Sequence, residues 1–268
     1  MKKEIYILVI FIVLILIFSL FVLKKDKKSG NNHVSNPYEK FTFYKKDNLD
    51  RYESYYLNNN YSYRDVVLRV NMNLDNSFYT NTKEVNDFNT LMLINKYNYI
   101  AKNNKPDLVE LKEYSVKDMY LNKECMINFL AMAKSIEKEN MNIRAMSTYR
   151  TYDYQDNLYN NYVSRDGVKN ADTYSARPGF SEHHTGLAID IDNTKTSYTN
   201  FEKTNEFKWM QDNAYKYGFI LRYPKDKEDI TGYMYEPWHY RYVGVEVSKY
   251  IHENNITFEE YYYEFLDK

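Results

Sequence analysis

The longest unbroken apolar run stands at the start of the chain. Ile5 to Leu23 is nineteen consecutive residues in which only Tyr6 and Ser19 carry polar groups, with Lys2 and Lys3 before it and Lys24, Lys25, Lys27 and Lys28 after it. At about 1.5 Å per residue a helix of that length spans roughly 28 Å, close to the hydrocarbon thickness of a bilayer, so the run predicts an N-terminal transmembrane helix. A cleaved signal peptide would have a shorter apolar core of about 7 to 15 residues and a small-residue cleavage site. Phe21-Val22-Leu23-Lys24 offers none, which favours an uncleaved signal anchor. Lysines at both ends leave the orientation undecided by the positive-inside rule. No Cys follows the run directly, which argues against a lipoprotein.

Shorter patterns follow. A polar stretch from 24 to about 40, containing Lys28-Ser29-Gly30-Asn31-Asn32, reads as a spacer, and Val66 to Met72 reads as a short strand in an accessory segment. Met126, Phe129, Leu130, Ala133 and Ile136 recur at helical spacing and predict a helix over about 118 to 138. Ile143 to Tyr149 then alternates as a strand, and Tyr152 to Val163 reads as helical. Phe207, Met210, Ala214 and Tyr217 mark another helix stopped by Gly218, followed by a strand from Phe219 to Tyr223. Helices over about 245 to 253 and 258 to 265 complete an α+β arrangement. The implied layout is an anchor over 1–28, a spacer and accessory segment over 29–109, and a catalytic domain over 110–268.

Composition changes this picture little. Net charge is -1 with no basic stripe, which gives no reason to expect a nucleic-acid partner. The 31 tyrosines, with abundant Asn and Lys, are a compositional bias rather than a binding platform. Six of the seven glycines fall at or after Gly167, which concentrates tight turns in the C-terminal half. The single Cys125 cannot pair internally and sits among Met126, Ile127, Phe129 and Leu130 as an inert thiol would.

The chemistry is carried by histidine. Three of the five histidines lie in Ser181-Glu182-His183-His184-Thr185-Gly186-Leu187-Ala188-Ile189-Asp190 and Glu236-Pro237-Trp238-His239. Two imidazoles and a carboxylate, from His183, Asp190 and His239, would hold a zinc ion and leave one tetrahedral position for water, with Glu236 free to act as base. From Gly186 the alternation puts Leu187, Ile189 and Ile191 on a core face and Ala188 and Asp190 on the other, where metal and substrate could lie. Pro237 excludes a helix interior, so Glu236 belongs to a turn leading into a strand from His239 to Val243. A purely structural zinc site would fill all four positions with Cys or His, and one Cys is too few. His184 competes with His183 as ligand, and spacing alone does not separate them. Arg150 suits either recognition of a terminal carboxylate or stabilisation of an oxyanion. Gln155, Ser181, Trp238 and Tyr240 are weaker candidates for peptide contacts.

At these residues the chain resembles the zinc D-Ala-D-Ala carboxypeptidases of the VanY type, within the LAS-type peptidoglycan peptidases. Their signature, S-x-H-x-x-G-x-A-x-D followed by E-x-x-H, matches at every fixed position. The resemblance extends to Ser147-Thr148-Tyr149-Arg150 with Tyr154-Gln155, to Ala176-Arg177-Pro178-Gly179, and to Tyr217 through Pro224, covering roughly residues 110 to 250. It implies that His183, not His184, joins Asp190 and His239 as metal ligands, that Glu236 is the base, and that Arg150 belongs to the substrate pocket. It also implies a small antiparallel sheet flanked by helices with zinc over one face.

The expected reaction is hydrolysis of the last peptide bond of a peptidoglycan stem, releasing D-alanine without a covalent intermediate. The serine-type alternative needs Lys-Thr-Gly, which the chain lacks. Since stem peptides lie outside the membrane, the catalytic domain is expected there, anchored to the cell membrane by a single pass. An L,D-carboxypeptidase acting on tetrapeptide stems uses the same motifs and is the nearest rival, with a cross-link endopeptidase behind it. A non-catalytic zinc-dependent wall-binding module is the rival from another class, and an unliganded Glu236 speaks against it.

Overall fold

The computed structural model of the chain describes residues 36–195 and 198–267. The chain divides into two compact units, Met1–Lys40 and Phe41–Lys268, and the architecture below belongs to the second. Helices α1 (Leu49–Asn58) and α2 (Tyr63–Asn71) form a hairpin, followed by the short parallel pair β1 (Lys83–Glu84) and β2 (Asn98–Tyr99). An antiparallel pair, β3 (Val109–Leu111) and β4 (Met119–Leu121), leads into helix α3 (Lys123–Glu137). Then come strand β5 (Arg144–Ser147), helices α4 (Tyr152–Asp166) and α5 (Val168–Tyr174), and strand β6 (Ala188–Asp192). Helix α6 (Asn205–Asn213), strand β7 (Phe219–Leu221), the one-turn α7 (Glu228–Thr231), strand β8 (His239–Tyr242) and helices α8 (Val245–Asn254) and α9 (Phe258–Tyr261) close the chain.

The expected α+β class with a small antiparallel sheet is present. The sheet has four strands in the order β5-β6-β8-β7, every neighbour antiparallel. One face is covered by α3: Phe129, Met132, Ala133 and Ile136 share a core cluster with Leu187, Ile189, Ile191, Phe219, Tyr240 and Tyr242. Phe129 is fully buried in that cluster, so its truncation to Ala would cost about 3–5 kcal/mol.

The transmembrane part of the expected fold class is corrected. Ile5 to Leu23 lies outside the described residues, and among the described residues no helix is long and apolar enough to cross a membrane. The long helices described, α3 and α4, have 15 residues each, roughly 22 Å, short of a bilayer core.

Three local expectations are also corrected. Val66 to Met72, expected as a strand, forms the end of helix α2 and its C-cap Met72: Ser62 Oγ caps the other end by accepting from Asp65 N, and Val66, Val67, Leu68 and Val70 are all buried. The expected helix over 118 to 138 is a strand and then a helix, because Asn122 turns the chain and caps α3 by accepting from Glu124 N and Cys125 N. The segment ending at Gly218 tightens from α-helix into a 3-10 turn over Ala214–Tyr217 before Gly218 takes a left-handed conformation with φ of 84°.

Candidate metal centre and active-site cleft

Sheet register brings the two motifs together. Antiparallel pairing of β6 with β8 sets Asp190 directly opposite His239, and pairing with β5 sets Ser147 opposite Asp190 on the other side. His183 arrives from the 3-10 turn Glu182–Thr185, whose first donor is satisfied by Ser181 Oγ accepting from His183 N at 3.3 Å. Gly186 ends that turn with φ of 69°, and a Cβ there would lie 2.9 Å from Asn122 N, so only glycine lets the chain swing from the turn into β6.

His183 Nδ1 lies 2.6 Å from the Thr148 carbonyl, which can only accept, so Nδ1 carries the proton and Nε2 keeps its lone pair. That Nε2 is 3.4 Å from Asp190 Oδ1, and His239 Nδ1 is 3.1 Å from the same oxygen. For a tetrahedral zinc with bonds of about 2.0–2.1 Å, neighbouring ligand atoms sit about 3.3 Å apart. Asp190 Oδ1 is buried and has no hydrogen-bond partner among the described residues. Three buried electron-pair donors facing one another repel unless a cation lies among them, and nitrogen, nitrogen and oxygen suit Zn2+. His183, Asp190 and His239 are thus a group that could hold the metal.

His184 is excluded by its bonds. Its Nδ1 is 2.7 Å from the Arg150 carbonyl and its Nε2 accepts from Gly179 N at 3.1 Å, so neither nitrogen is left for a metal.

Electrostatics reinforce the arrangement. Burial would raise Asp190, but the His183 imidazole and the Arg150 guanidinium hold it well below the carboxylate range. Burial lowers His183 to about 4, with Arg150 adding to the effect. Burial also works to lower His239, yet the facing Asp190 and Glu182 carboxylates outweigh it and lift the ring to about 9. Burial pushes Glu236 up to about 7, with Asp190 pushing the same way. Glu236 Oε2 stands 3.6 Å from His239 Nδ1, just before β8 as Pro237 required.

A cleft of about 540 Å³ opens over these groups. Arg150 lines it, with Nη2 on Asp190 Oδ2 at 2.6 Å and Nε donating to Ser147 Oγ at 2.9 Å. Gln155 lines it too: its amide nitrogen donates to Ala176 O at 2.8 Å, and its Oε1 is buried with no partner among the described residues. Ser181 lines the cleft while its oxygen caps the His183 turn, and Trp238 stands half-buried at the wall, edge-on to Tyr198 at 4.9 Å. Tyr240 is not brought to the cleft. Next to His239 in strand β8, it faces the opposite side of the sheet, 1% exposed in the core.

Fold and donor set together define a zinc metallopeptidase. The chain belongs to the VanY family, D-alanyl-D-alanine carboxypeptidase, whose family model matches residues 118–245. It is similar to the Bacillus subtilis (strain 168) protein YodJ, 42% identical over 205 residues that cover 70% of this chain and 75% of the relative. Among solved structures it resembles an LdcB LD-carboxypeptidase, described with the basis of its peptidoglycan recognition, at 41% identity and a TM-score of 0.64, covering 69% of this chain and 91% of the other. It also resembles a variant of the vancomycin-resistance D,D-pentapeptidase VanY from a VanB-type cassette, in complex with Zn(II). There the identity is 31% and the TM-score 0.56, covering 64% of this chain and 98% of the other. The chain is a zinc-dependent carboxypeptidase of this family.

Sequence reasoning passed over the groups behind the metal. Glu182, Arg222, Arg241 and Glu259 form a fully buried ionic cluster, and Tyr223 and Tyr233 line the cleft wall. A signal for two of them was available: Arg222 and Arg241 each interrupt an apolar strand run, a position where a cation needs a buried partner.

Proposed function

We propose that this carboxypeptidase removes the terminal D-alanine from peptidoglycan stem peptides, as a D,D-carboxypeptidase. The observation that carries the reading is the buried Glu236 carboxylate, 3.6 Å from a donor atom of the His183, Asp190 and His239 group yet outside that group. A wall-binding module has no use for such a group, whereas hydrolysis needs a base that the metal leaves free.

Zinc, when bound, supplies a Lewis acid that makes water a nucleophile near neutral pH and polarises the scissile carbonyl. Glu236 takes the proton from the attacking water and returns it to the departing amine, a double task that suits a carboxyl raised by burial toward neutrality. Arg150 keeps Asp190 in place through Nη2 and holds itself to Ser147 through Nε, which leaves Nη1, unbonded among the described residues, to meet a substrate carboxylate or oxyanion. The unpartnered Oε1 of Gln155 accepts a hydrogen bond from a substrate amide or ammonium group. Such stems lie outside the membrane, so the catalytic domain works there, which protease accessibility in intact cells would test.

A second reading, L,D-carboxypeptidase action on tetrapeptide stems, is favoured by the similarity to the LD-carboxypeptidase structure. Synthetic stems ending in D-Ala-D-Ala, in D-Ala-D-Lac, or in a single D-Ala after the diamino acid separate the two when products are weighed by mass spectrometry. D,D-activity requires release of one D-alanine from the first stem, and cleavage of the tetrapeptide alone would replace it with the L,D reading.

A further inference from the structure

The two histidines of the metal group are oriented in opposite senses, and only one has an obvious reason. His183 turns Nε2 inward because Nδ1–H is tied to the Thr148 carbonyl at 2.6 Å. His239 turns Nδ1 inward, 3.1 Å from Asp190 Oδ1, and its Nε2 is buried with no hydrogen-bond partner among the described residues. The polar atom facing that Nε2 is Glu182 Oε2 at 3.7 Å, itself buried and likewise without a hydrogen-bond partner among the described residues.

Glu182 is far from free to turn away. Its other oxygen, Oε1, accepts from Arg222 Nε and from Arg241 Nη1, each at 2.8 Å. Arg222 is in turn held by Glu259 through two bonds, of 2.8 and 2.6 Å. Arg241 donates to the carbonyls of Thr90, Met92 and Tyr242 at 3.0, 2.8 and 3.0 Å. All four side chains of the cluster are almost completely buried, and two carboxylates balance two guanidinium groups. The cluster spends both arginines on one oxygen of Glu182 and leaves the other aimed at His239. A cluster that served only to neutralise charge in the core would leave no such oxygen over.

We propose that Glu182 is a positioning residue for the metal centre: its spare oxygen receives the Nε2 proton of His239, fixing the tautomer and ring angle that aim Nδ1 at zinc. A closure of about 0.9 Å turns the 3.7 Å separation into a charge-assisted hydrogen bond of about 2.8 Å. A carboxylate behind a ligating imidazole also raises its donor strength, and loss of such a partner costs about 10–100-fold in metal affinity or activity. Arg222 and Arg241 position the positioner, which explains why two cations are placed in the core behind a metal site. The inference rests on the zinc-carboxypeptidase reading and adds the reason for the orientation of one ligand.

The test compares the wild-type chain with Glu182→Gln and Glu259→Gln. Both substitutions take one carboxylate from the same buried cluster, and among the described residues the Glu259 carboxylate bonds Arg222 and Asn95 rather than His239. Zinc affinity is measured by competition with a chromophoric chelator, and the visible spectrum of the Co(II)-loaded proteins reports ligand geometry. The expected result is a zinc dissociation constant about 10–100-fold weaker and an altered Co(II) spectrum in Glu182→Gln alone. Affinity within twofold of wild type, or an equal loss in both variants, would overturn the proposal. Should Glu182→Gln fail to fold, nitrogen-15 NMR of the zinc-loaded wild type decides: a protonated, hydrogen-bonded Nε2 on His239 supports the assignment, and a metal-bound Nε2 removes it. A wild-type chain that takes up no zinc would instead overturn the metal centre, and this inference with it.

Discussion

The base and the ligands differ in what their loss should do. Glu236→Gln is isosteric and lies outside the donor group, so zinc content should remain near wild type while turnover falls by about 10²–10⁴-fold. Metal analysis paired with D-alanine release checks this, and unchanged turnover would remove Glu236 from the chemistry. Lys96 offers a prediction in pH. It is 1% exposed, with Nζ 3.9 Å from the Tyr233 ring centre and bonded to the Asp172 carbonyl at 2.5 Å. Burial nonetheless lowers it to about 7, against the opposing pull of Asp172. Below pH 7 both folded and unfolded chains hold this proton, and burying the charge costs stability in full. Between about 7 and the unfolded value of 10.5 the unfolded chain binds more protons, so the cost is progressively relieved and stability rises with pH. Urea unfolding of wild type and Lys96→Met from pH 6.5 to 10 should show the variant's advantage shrinking as pH increases; a constant difference would disprove it.

What was legible at this scale followed from spacing. His183, Asp190, His239 and Glu236 come from two compact motifs, and the structure unites them at 3.1 to 3.6 Å. Glu182 was not legible, although it neighbours a ligand, because its meaning depends on Arg222, Arg241 and Glu259 from three later segments. Tyr240, a weaker candidate for a peptide contact, lies in the core instead, because the period of two in a strand sends it to the face opposite His239.

Among elements, the turn from His183 into β6 carries the heaviest demand. Gly186→Ala would place a methyl group against Asn122 N and strain a backbone at φ of 69°. A loss of about 1–3 kcal/mol is expected. Because the same turn delivers His183, zinc affinity should fall along with the melting temperature; a variant matching wild type in both would show that the turn tolerates a side chain. Element types were mostly readable from periodicity, as the α3 and α4 segments show. The failure at α2 has a physical cause. Valines at 66, 67 and 70 have strand propensity, yet burial on several sides of a helix and the Ser62 cap prevail over it. The α3 boundary was misplaced because Asn122, a cap in the structure, lies inside an apolar pattern that continues across it.

At the scale of the whole molecule, metal and fold are linked. The three donors come from a 3-10 turn and two strands, so zinc bound to the folded chain alone adds stability, about 2.7 kcal/mol at a hundredfold excess over its dissociation constant. Chelation should therefore abolish activity and lower the melting temperature together, while β-lactams leave activity intact; a melting temperature indifferent to zinc would contradict the site's geometry. The accessory region is drawn into the same body, since the Thr90 and Met92 carbonyls hold Arg241. This was invisible in the sequence, because a backbone acceptor has no residue signature.

Glu259 lies nine residues from the end of the chain, in a short C-terminal helix, yet its carboxylate holds Arg222 and through it the acid behind His239. Proteolytic removal of the segment from Phe258 onward would strip one carboxylate from that cluster and leave two guanidinium groups sharing Glu182 alone. A clipped molecule would therefore carry an uncompensated positive charge in its core, and its folding stability would suffer.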